Sequence, residues 1–119
     1  MIYNDFQLDY NTTIQSLKIL INQCWKTLPI YEGRNKNNEI VYSREEAYEY
    51  FQKHLHFLIT KISGASKIWK DNQYYVELVY ILNGMLDFKD DEHDRVKYMV
   101  HHCTGLINNM IEALLNNES

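Results

Sequence analysis

Residues 74–86 read YYVELVYILNGML and carry two apolar rows at helical spacing. Each row steps by four, three and four residues; one consists of Tyr75, Val79, Leu82 and Leu86, and the other of Tyr74, Leu78, Ile81 and Met85. At about 100° per residue the rows lie about 100° apart, so this helix is apolar over most of its circumference. It must be covered on two sides, either as the central helix of the domain or partly by another protein.

The size and composition of the chain indicate one globular domain over residues 1–119. A length of 119 residues is enough to bury a single core, and 45% hydrophobic with 24% charged residues is typical of a folded soluble domain. The formal net charge is -4, and only three of the twelve basic residues are arginines. Because phosphate contacts need a clustered cationic surface, nucleic acid is disfavoured as a partner.

The sequence favours a cytoplasmic protein without membrane spans. No apolar run approaches the roughly 20 residues that cross a bilayer, and the first residues lack the pattern of a signal peptide. The two cysteines, Cys24 and Cys103, fall on apolar rows of predicted helices, which favours small buried hydrophobes. A disulfide and a reactive thiol are the alternatives, and neither has a supporting motif.

The chain before residue 74 predicts two further helices. The first covers about residues 9–28 and stops at Pro29, with Trp25 and Leu20 widening its buried face; its apolar row is Tyr10, Ile14, Leu17, Ile21, Cys24 and Leu28. The second begins at a capping box, Ser43 to Glu46, and its row is Tyr48, Phe51, Leu55, Leu58 and Ile62. Between them, β-prone flanks at residues 30–31 and 40–42 could form a small β-hairpin.

A fourth predicted helix follows an acidic segment, residues 87–94, which suits the positive end of a helix dipole. Its apolar row is Val96, Val100, Cys103, Ile107, Met110 and Leu114. Four amphipathic helices with mostly short links predict an all-α fold, an antiparallel four-helix bundle. The remaining apolar surface is more than one core of this size needs, which predicts a homodimer. Its predicted interface consists of Tyr74, Leu78, Ile81, Met85, Phe57, Met99 and Leu106.

The histidines do not form a metal site by their spacing. His54 and His56 are two residues apart and point about 160° away from each other on a helix, and the adjacent His101 and His102 also diverge. Asp90 and His93 are three apart, but at a helix start they are typical of surface residues that compensate the dipole. No metal or other cofactor is expected.

Arg95, Tyr98 and His102 share one face of the fourth predicted helix, since they are spaced by three and four residues. An Arg and a His on a late helix of a small all-α dimer resemble the pattern of the HEPN family, which includes metal-independent ribonucleases of toxin and defence systems. The resemblance implies that both side chains meet at a dimer interface and act on a ribose 2′-OH and its phosphate. Val96 departs from that pattern, because the family usually has a polar residue directly after the Arg.

Two functions from different classes follow. The first is a non-catalytic homodimer that acts by binding another protein, as small regulators, adaptors, immunity proteins or phage-encoded inhibitors do. Its partner-facing regions would be residues 30–42, Phe57 between Lys53 and Lys61, or the acidic segment. The second is a HEPN-like ribonuclease that uses Arg95, Tyr98 and His102. The sequence favours the first, because it has no Gly-rich phosphate loop, nucleophile elbow or Cys-x-x-Cys motif.

Overall fold

The computed structural model describes residues 2–64, 69, 71–89 and 91–118, with side chains from residue 13 to residue 116 of these ranges. The fold is all-α, and four long helices pack compactly around one core. The helices are α1 (Ile2–Trp25), α2 (Thr27–Glu32), α3 (Arg44–Ser63), α4 (Gln73–Met85) and α5 (His93–Glu118). The described residues contain no strand, and none of their helices is long and apolar enough to span a bilayer.

Pro29 does not end the first helical region, so that prediction is wrong. The chain breaks at Lys26 instead, and Pro29 is the third residue of the short helix α2. A proline is tolerated there because the amides of the first helical turn have no partner within the helix. The region ends at Gly33, whose φ of 82° is left-handed. A Cβ at Gly33 would lie 2.9 Å from the carbonyl oxygen of Tyr42, so glycine is required.

The predicted β-hairpin between the first two long helices is also wrong, because the segment forms no strands. Only one antiparallel bridge forms, between Arg34 and Ile40. The Asn35 side chain accepts hydrogen bonds from the backbone amides of Asn37 (2.9 Å) and Glu39 (3.0 Å). These amides are therefore used by a side chain within the turn and are not available for a strand ladder.

The starts of α3 and α4 are fixed by side-chain caps. Ser43 Oγ accepts from the Glu46 amide at 3.1 Å and Glu46 Oε1 accepts from the Ser43 amide at 3.3 Å, which confirms the capping box. Asn72 accepts from the amides of Tyr74 and Tyr75 and so caps α4. For this helix the sequence allows a start at Ser66 or after Asp71 and Asn72; the structure supports the second, and the first lies outside the described residues.

The last helix, α5, is the central one. It packs on α1, α2 and α4, whereas α1 and α3 meet only sparsely. Its predicted row is buried from Val96 to Met110, and Leu114 packs half-buried against the core. Trp25, which was predicted to widen the buried face of the first helix, is 46% exposed and meets the edge of His101 (4.9 Å between ring centroids). The Tyr10 position of that row lies outside the described side chains.

Candidate functional site

The sparse contact between α1 and α3 leaves an open apolar groove, called here the α1–α3 groove. Its volume is about 330 Å³, and its walls come from one face of α1 and one face of α3, with α5 as the floor. The lining residues are Ser16, Leu17, Ile19, Leu20, Gln23, Phe57, Lys61, Ile62 and Met110. Ile19 and Phe57 remain 59% and 41% exposed, so large apolar side chains face solvent along this groove.

His54 joins the two helices at one end of the α1–α3 groove. Its Nε2 lies 2.9 Å from the carbonyl oxygen of Gln23, and its ring stacks on Phe57 with 6.1 Å between ring centroids. Burial lowers the pKa of His54, the hydrogen bond to Gln23 opposes this, and the nearby charge of Lys26 lowers the pKa further. Because the carbonyl oxygen of Gln23 can only accept, Nε2 carries the hydrogen in this contact between the helices.

The charge beside this groove is positive. The ammonium of Lys61 lies 5.6 Å from the centroid of the Phe57 ring, within the range of a cation–π contact. No Asp or Glu occurs in residues 13–26 of α1 and its link to α2, or in residues 50–63 of α3. Lys61 thus lies beside an apolar surface, and neither of the two wall segments contains a carboxylate.

The three residues of the predicted ribonuclease site are only partly brought together. Tyr98 and His102 stack nearly parallel, with 6.2 Å between ring centroids and 5° between planes. His102 Nε2 lies 3.0 Å from Glu77 Oε1 on α4. Arg95 instead donates to Glu92 Oε1 at 3.0 Å, and its guanidinium lies 4.5 Å from the centroid of the Phe88 ring. Each charged group of the predicted pair therefore has its own carboxylate partner.

The residues of the predicted dimer interface differ in how far the single chain buries them. Leu78, Met85 and Leu106 are buried within the single chain, because α3 and α5 cover both apolar rows of α4. Tyr74, Ile81 and Met99 are partly buried against the same core. Phe57 is exposed, but it belongs to the α1–α3 groove. The chain's own helices thus cover most of the second apolar row of helix 74–86, and the interface itself stays a prediction.

A second surface with exposed aromatic side chains, which also carries the Glu77–His102 contact, lies on α4 and α5 and was not predicted; we call it the tyrosine face. Tyr80 and Tyr98 are 78% and 65% exposed, and Val76 is one turn before Tyr80. Gly84 and Gly105 are exposed on the same two helices, and a Cβ built on either would meet no atom within 4 Å. Neither glycine is needed for packing among the described residues.

The cysteines and the possible metal ligands do not form a reactive site among the described residues. Cys24 and Cys103 are free and buried, as predicted, and burial raises the pKa of Cys24 to about 12, while burial and the neighbouring Cys24 raise that of Cys103. A thiol with such a pKa is not a nucleophile at neutral pH. Among the residues that the structure describes, no three His, Cys, Asp or Glu side chains cluster as metal ligands would.

Comparisons with protein-family models, with curated proteins and with solved structures found no match to this chain. The geometry of the chain itself therefore carries the functional conclusion.

Sequence reasoning found one part of the groove and missed the rest. Phe57 was singled out, because it projects away from its helix's apolar row between two lysines. Ile19 and Gln23 were not predicted as groove residues. The apolar row of α1 indicates which side of this helix faces the core, but it does not indicate that the neighbouring side lines a groove. The distribution of charge could have indicated the groove. Two segments that lack Asp and Glu are distant in sequence but form its two walls.

Proposed function

We propose that this protein is a non-catalytic helical protein that acts by binding another protein, and that the α1–α3 groove is its partner-binding site. The observation that carries the proposal is the groove itself: an apolar surface with exposed Ile19 and Phe57 beside a cation. A volume of about 330 Å³ lies at the lower end of the range of about 300–1,000 Å³ found for ligand pockets, and a concave, mostly apolar surface of this size supports a binding site.

We also propose that the four long helices form an antiparallel bundle with one open seam. The order of contacts supports this: the Tyr75 hydroxyl donates to the Ile62 carbonyl oxygen, whereas Gln52 donates to that of Leu86, so α3 and α4 run in opposite directions. Trp25 meets His101 while Leu17 shares the groove with Met110, which gives the same relation for α1 and α5. The open seam of the proposed bundle is the one between α1 and α3, where the groove lies.

A homodimer is the second candidate, and the observation that favours it is the exposed tyrosine face. Tyr80 and Tyr98 are large, exposed and on adjacent helices, and tyrosine is enriched at protein interfaces. The exposed Gly84 and Gly105 would let a second helix approach closely. Such a dimer would leave the α1–α3 groove open for another protein.

The test of the proposed function is site-specific photo-crosslinking in cells that naturally contain the protein. A photoreactive phenylalanine analogue replaces Phe57 in one variant and Tyr80 in a control variant. We expect a defined crosslinked protein from position 57 that position 80 does not give. That protein, purified separately, should bind the wild type and bind Phe57→Ala at least about tenfold more weakly, as loss of a central aromatic contact predicts.

Two results would contradict the proposal. One is that crosslinks from positions 57 and 80 are the same. The other is that the purified crosslinked protein does not bind, or binds Phe57→Ala and wild type equally. A Tyr80→Ala variant serves as the matched control in the binding measurement, since it removes an exposed aromatic side chain outside the groove.

A further inference from the structure

We infer that the occupant of the α1–α3 groove is an amphipathic helix of net negative charge. The inference rests on the proposed function and names the chemistry of the partner. Three observations carry it: the length of the groove, the apolar character of its lining, and the one-sided charge of its walls.

The length of the groove fits two turns of a helix. On α1 the lining residues run from Ser16 to Gln23 and recur at positions 16, 19, 20 and 23, one face of a helix. Seven residues at 1.5 Å per residue span roughly 10.5 Å. A partner helix lying along this seam can place apolar anchors at i, i+3 or i+4, and i+7, which is how helices dock in hydrophobic grooves.

The lining is apolar where such anchors would enter. Leu17, Leu20, Ile62 and Met110 form the inner surface and are largely or fully buried, whereas Ile19 and Phe57 stand at its edges. Aliphatic or aromatic anchors would cover the exposed parts of Ile19 and Phe57. Each fully buried large apolar side chain contributes about 1.5–3 kcal/mol before the losses of association are subtracted.

The charge of the walls selects the sign of the partner. Lys53, Phe57 and Lys61 are each one helical turn apart and form one stripe of α3, of which Phe57 and Lys61 line the groove. Lys26 lies at the His54 end, where its charge acts on that ring. The nearest carboxylate on α3 is Glu49, which pairs with Lys53 at 3.4 Å. On α5, Glu112 is two residues beyond Met110 and therefore projects to another side of the helix.

Acidic side chains flanking the anchors would thus meet the ammonium of Lys61 on the α3 wall and Lys26 near the His54 end, and the described lining residues include no carboxylate. Like-charge juxtaposition would disfavour a basic helix, so the same surface also rejects the wrong sign. A fatty acid shares the negative charge and apolar body, and the test below therefore includes one as a competitor.

The test is an unbiased selection. A displayed library of helix-forming 18-residue peptides, with all amino acids allowed at the variable positions, is selected against the folded wild-type chain. We expect enriched peptides with apolar residues at i, i+3 or i+4, and i+7 and with net negative charge. Their binding should weaken at least about tenfold in Phe57→Ala and fall as the salt concentration rises.

A charge-reversal pair makes the test specific. In Lys26→Glu/Lys61→Glu, the enriched acidic peptides should lose at least about tenfold in affinity, and a new selection should enrich basic peptides. The matched control, Lys18→Glu/Lys97→Glu, has the same net charge; Lys18 projects to the opposite side of α1 from the groove, and Lys97 lies on α5. It should bind the acidic peptides like the wild type, and circular dichroism checks that all variants are folded.

Several outcomes would overturn the inference. They are enrichment of neutral or basic peptides by the wild type, no enrichment, equal weakening in the control pair, or displacement of the peptides by dodecanoate at micromolar concentration, which would indicate a lipid site. These results differ from failure of the proposed function. If Phe57 crosslinks a protein whose contacting segment is basic or non-helical, the groove binds protein and only the inference on its chemistry is wrong.

Discussion

Two buried threonine hydroxyls show how single polar atoms affect stability in this core. Thr104 Oγ1 donates to the carbonyl oxygen of His101 at 2.8 Å. The Thr27 hydroxyl has no hydrogen-bond partner among the described residues, and the small void beside it, lined by Cys24 and Leu58, has no room for a water molecule. A buried hydroxyl without a partner costs about 1–3 kcal/mol.

Thr27→Val should therefore stabilise the protein. Valine has the shape of threonine without the hydroxyl, so we expect the free energy of unfolding to rise by about 1 kcal/mol in urea denaturation. Thr104→Val is the matched control and should lower it by about 1 kcal/mol, because it removes a hydrogen bond that is made. Equal changes in the two variants would contradict the prediction.

His54 should make stability depend on pH. Burial lowers its pKa in the folded state below the ordinary 6.5, so the unfolded chain binds the proton first. The contribution of His54 is complete above pH 6.5 and is lost as the pH falls from 6.5 to the folded-state pKa. Within this window the free energy of unfolding should fall by up to about 1.4 kcal/mol per pH unit.

The measurement is urea denaturation of the wild type and His54→Gln between pH 5 and pH 7.5. Glutamine can still donate to the Gln23 carbonyl but does not titrate, so its profile should be flatter. Glu32 does not interfere: burial would raise its pKa, but hydrogen bonds from His93 and Arg34 outweigh this and lower it below 4.5. Its contribution is lost only at more acidic pH. Parallel profiles of wild type and variant would refute the role of His54.

Helices α4 and α5 differ from ordinary surface helices in their exposed glycines. A glycine inside a helix is about 0.8–1.0 kcal/mol less favourable than alanine. Gly105 is in the middle of α5, and a Cβ there would meet nothing. Gly33, by contrast, has a left-handed φ and a carbonyl oxygen 2.9 Å from the Cβ position. The same substitution should therefore have opposite effects at the two positions.

We expect Gly105→Ala to raise the free energy of unfolding of the monomer by about 0.5–1 kcal/mol, and Gly33→Ala to lower it by more than 1 kcal/mol. Thermal and urea denaturation at low protein concentration give both values. Light scattering at higher concentration tests the tyrosine face in addition. If it joins two copies closely at Gly105, the alanine variant should dimerise more weakly than the wild type, whereas destabilisation of the monomer itself would contradict the prediction.

The helices were predictable from the sequence where local signals decide them. The capping box at Ser43 and the cap at Asn72 fix starts that the structure reproduces. The end of the first helix was predicted wrongly at Pro29, because a proline can either follow the end of one helix or lie in the first turn of the next. No residue type at Lys26 indicates the break that the structure shows there. The apolar positions of α4 were predictable, but its buried residues, Tyr75, Leu78, Leu82 and Met85, take two members from each predicted row. Which side of a helix is covered depends on tertiary packing, which periodicity does not encode.

At the scale of the whole molecule, the separate contacts of Arg95 and His102 argue against a joint ribonuclease site within one chain. We expect the purified protein to cleave no RNA in the presence of EDTA, since Arg95 is held by Glu92 and His102 by Glu77. Gel analysis of a mixed-sequence RNA checks this. Cleavage by the wild type that Arg95→Ala and His102→Ala each abolish, with the oligomeric state unchanged, would instead support the second function.

The packing of α1 on α5 has a consequence for synthesis in the cell. Trp25 and His101 touch, although 75 residues lie between them in the chain, and the floor of the groove at Met110 is made later still. At translation rates of 5–20 residues per second, α1 waits roughly 4 to 17 s for its principal neighbour. During that time Leu17, Leu20 and Cys24 are available to chaperones, so the nascent first helix is the segment where ribosome-associated folding factors should act.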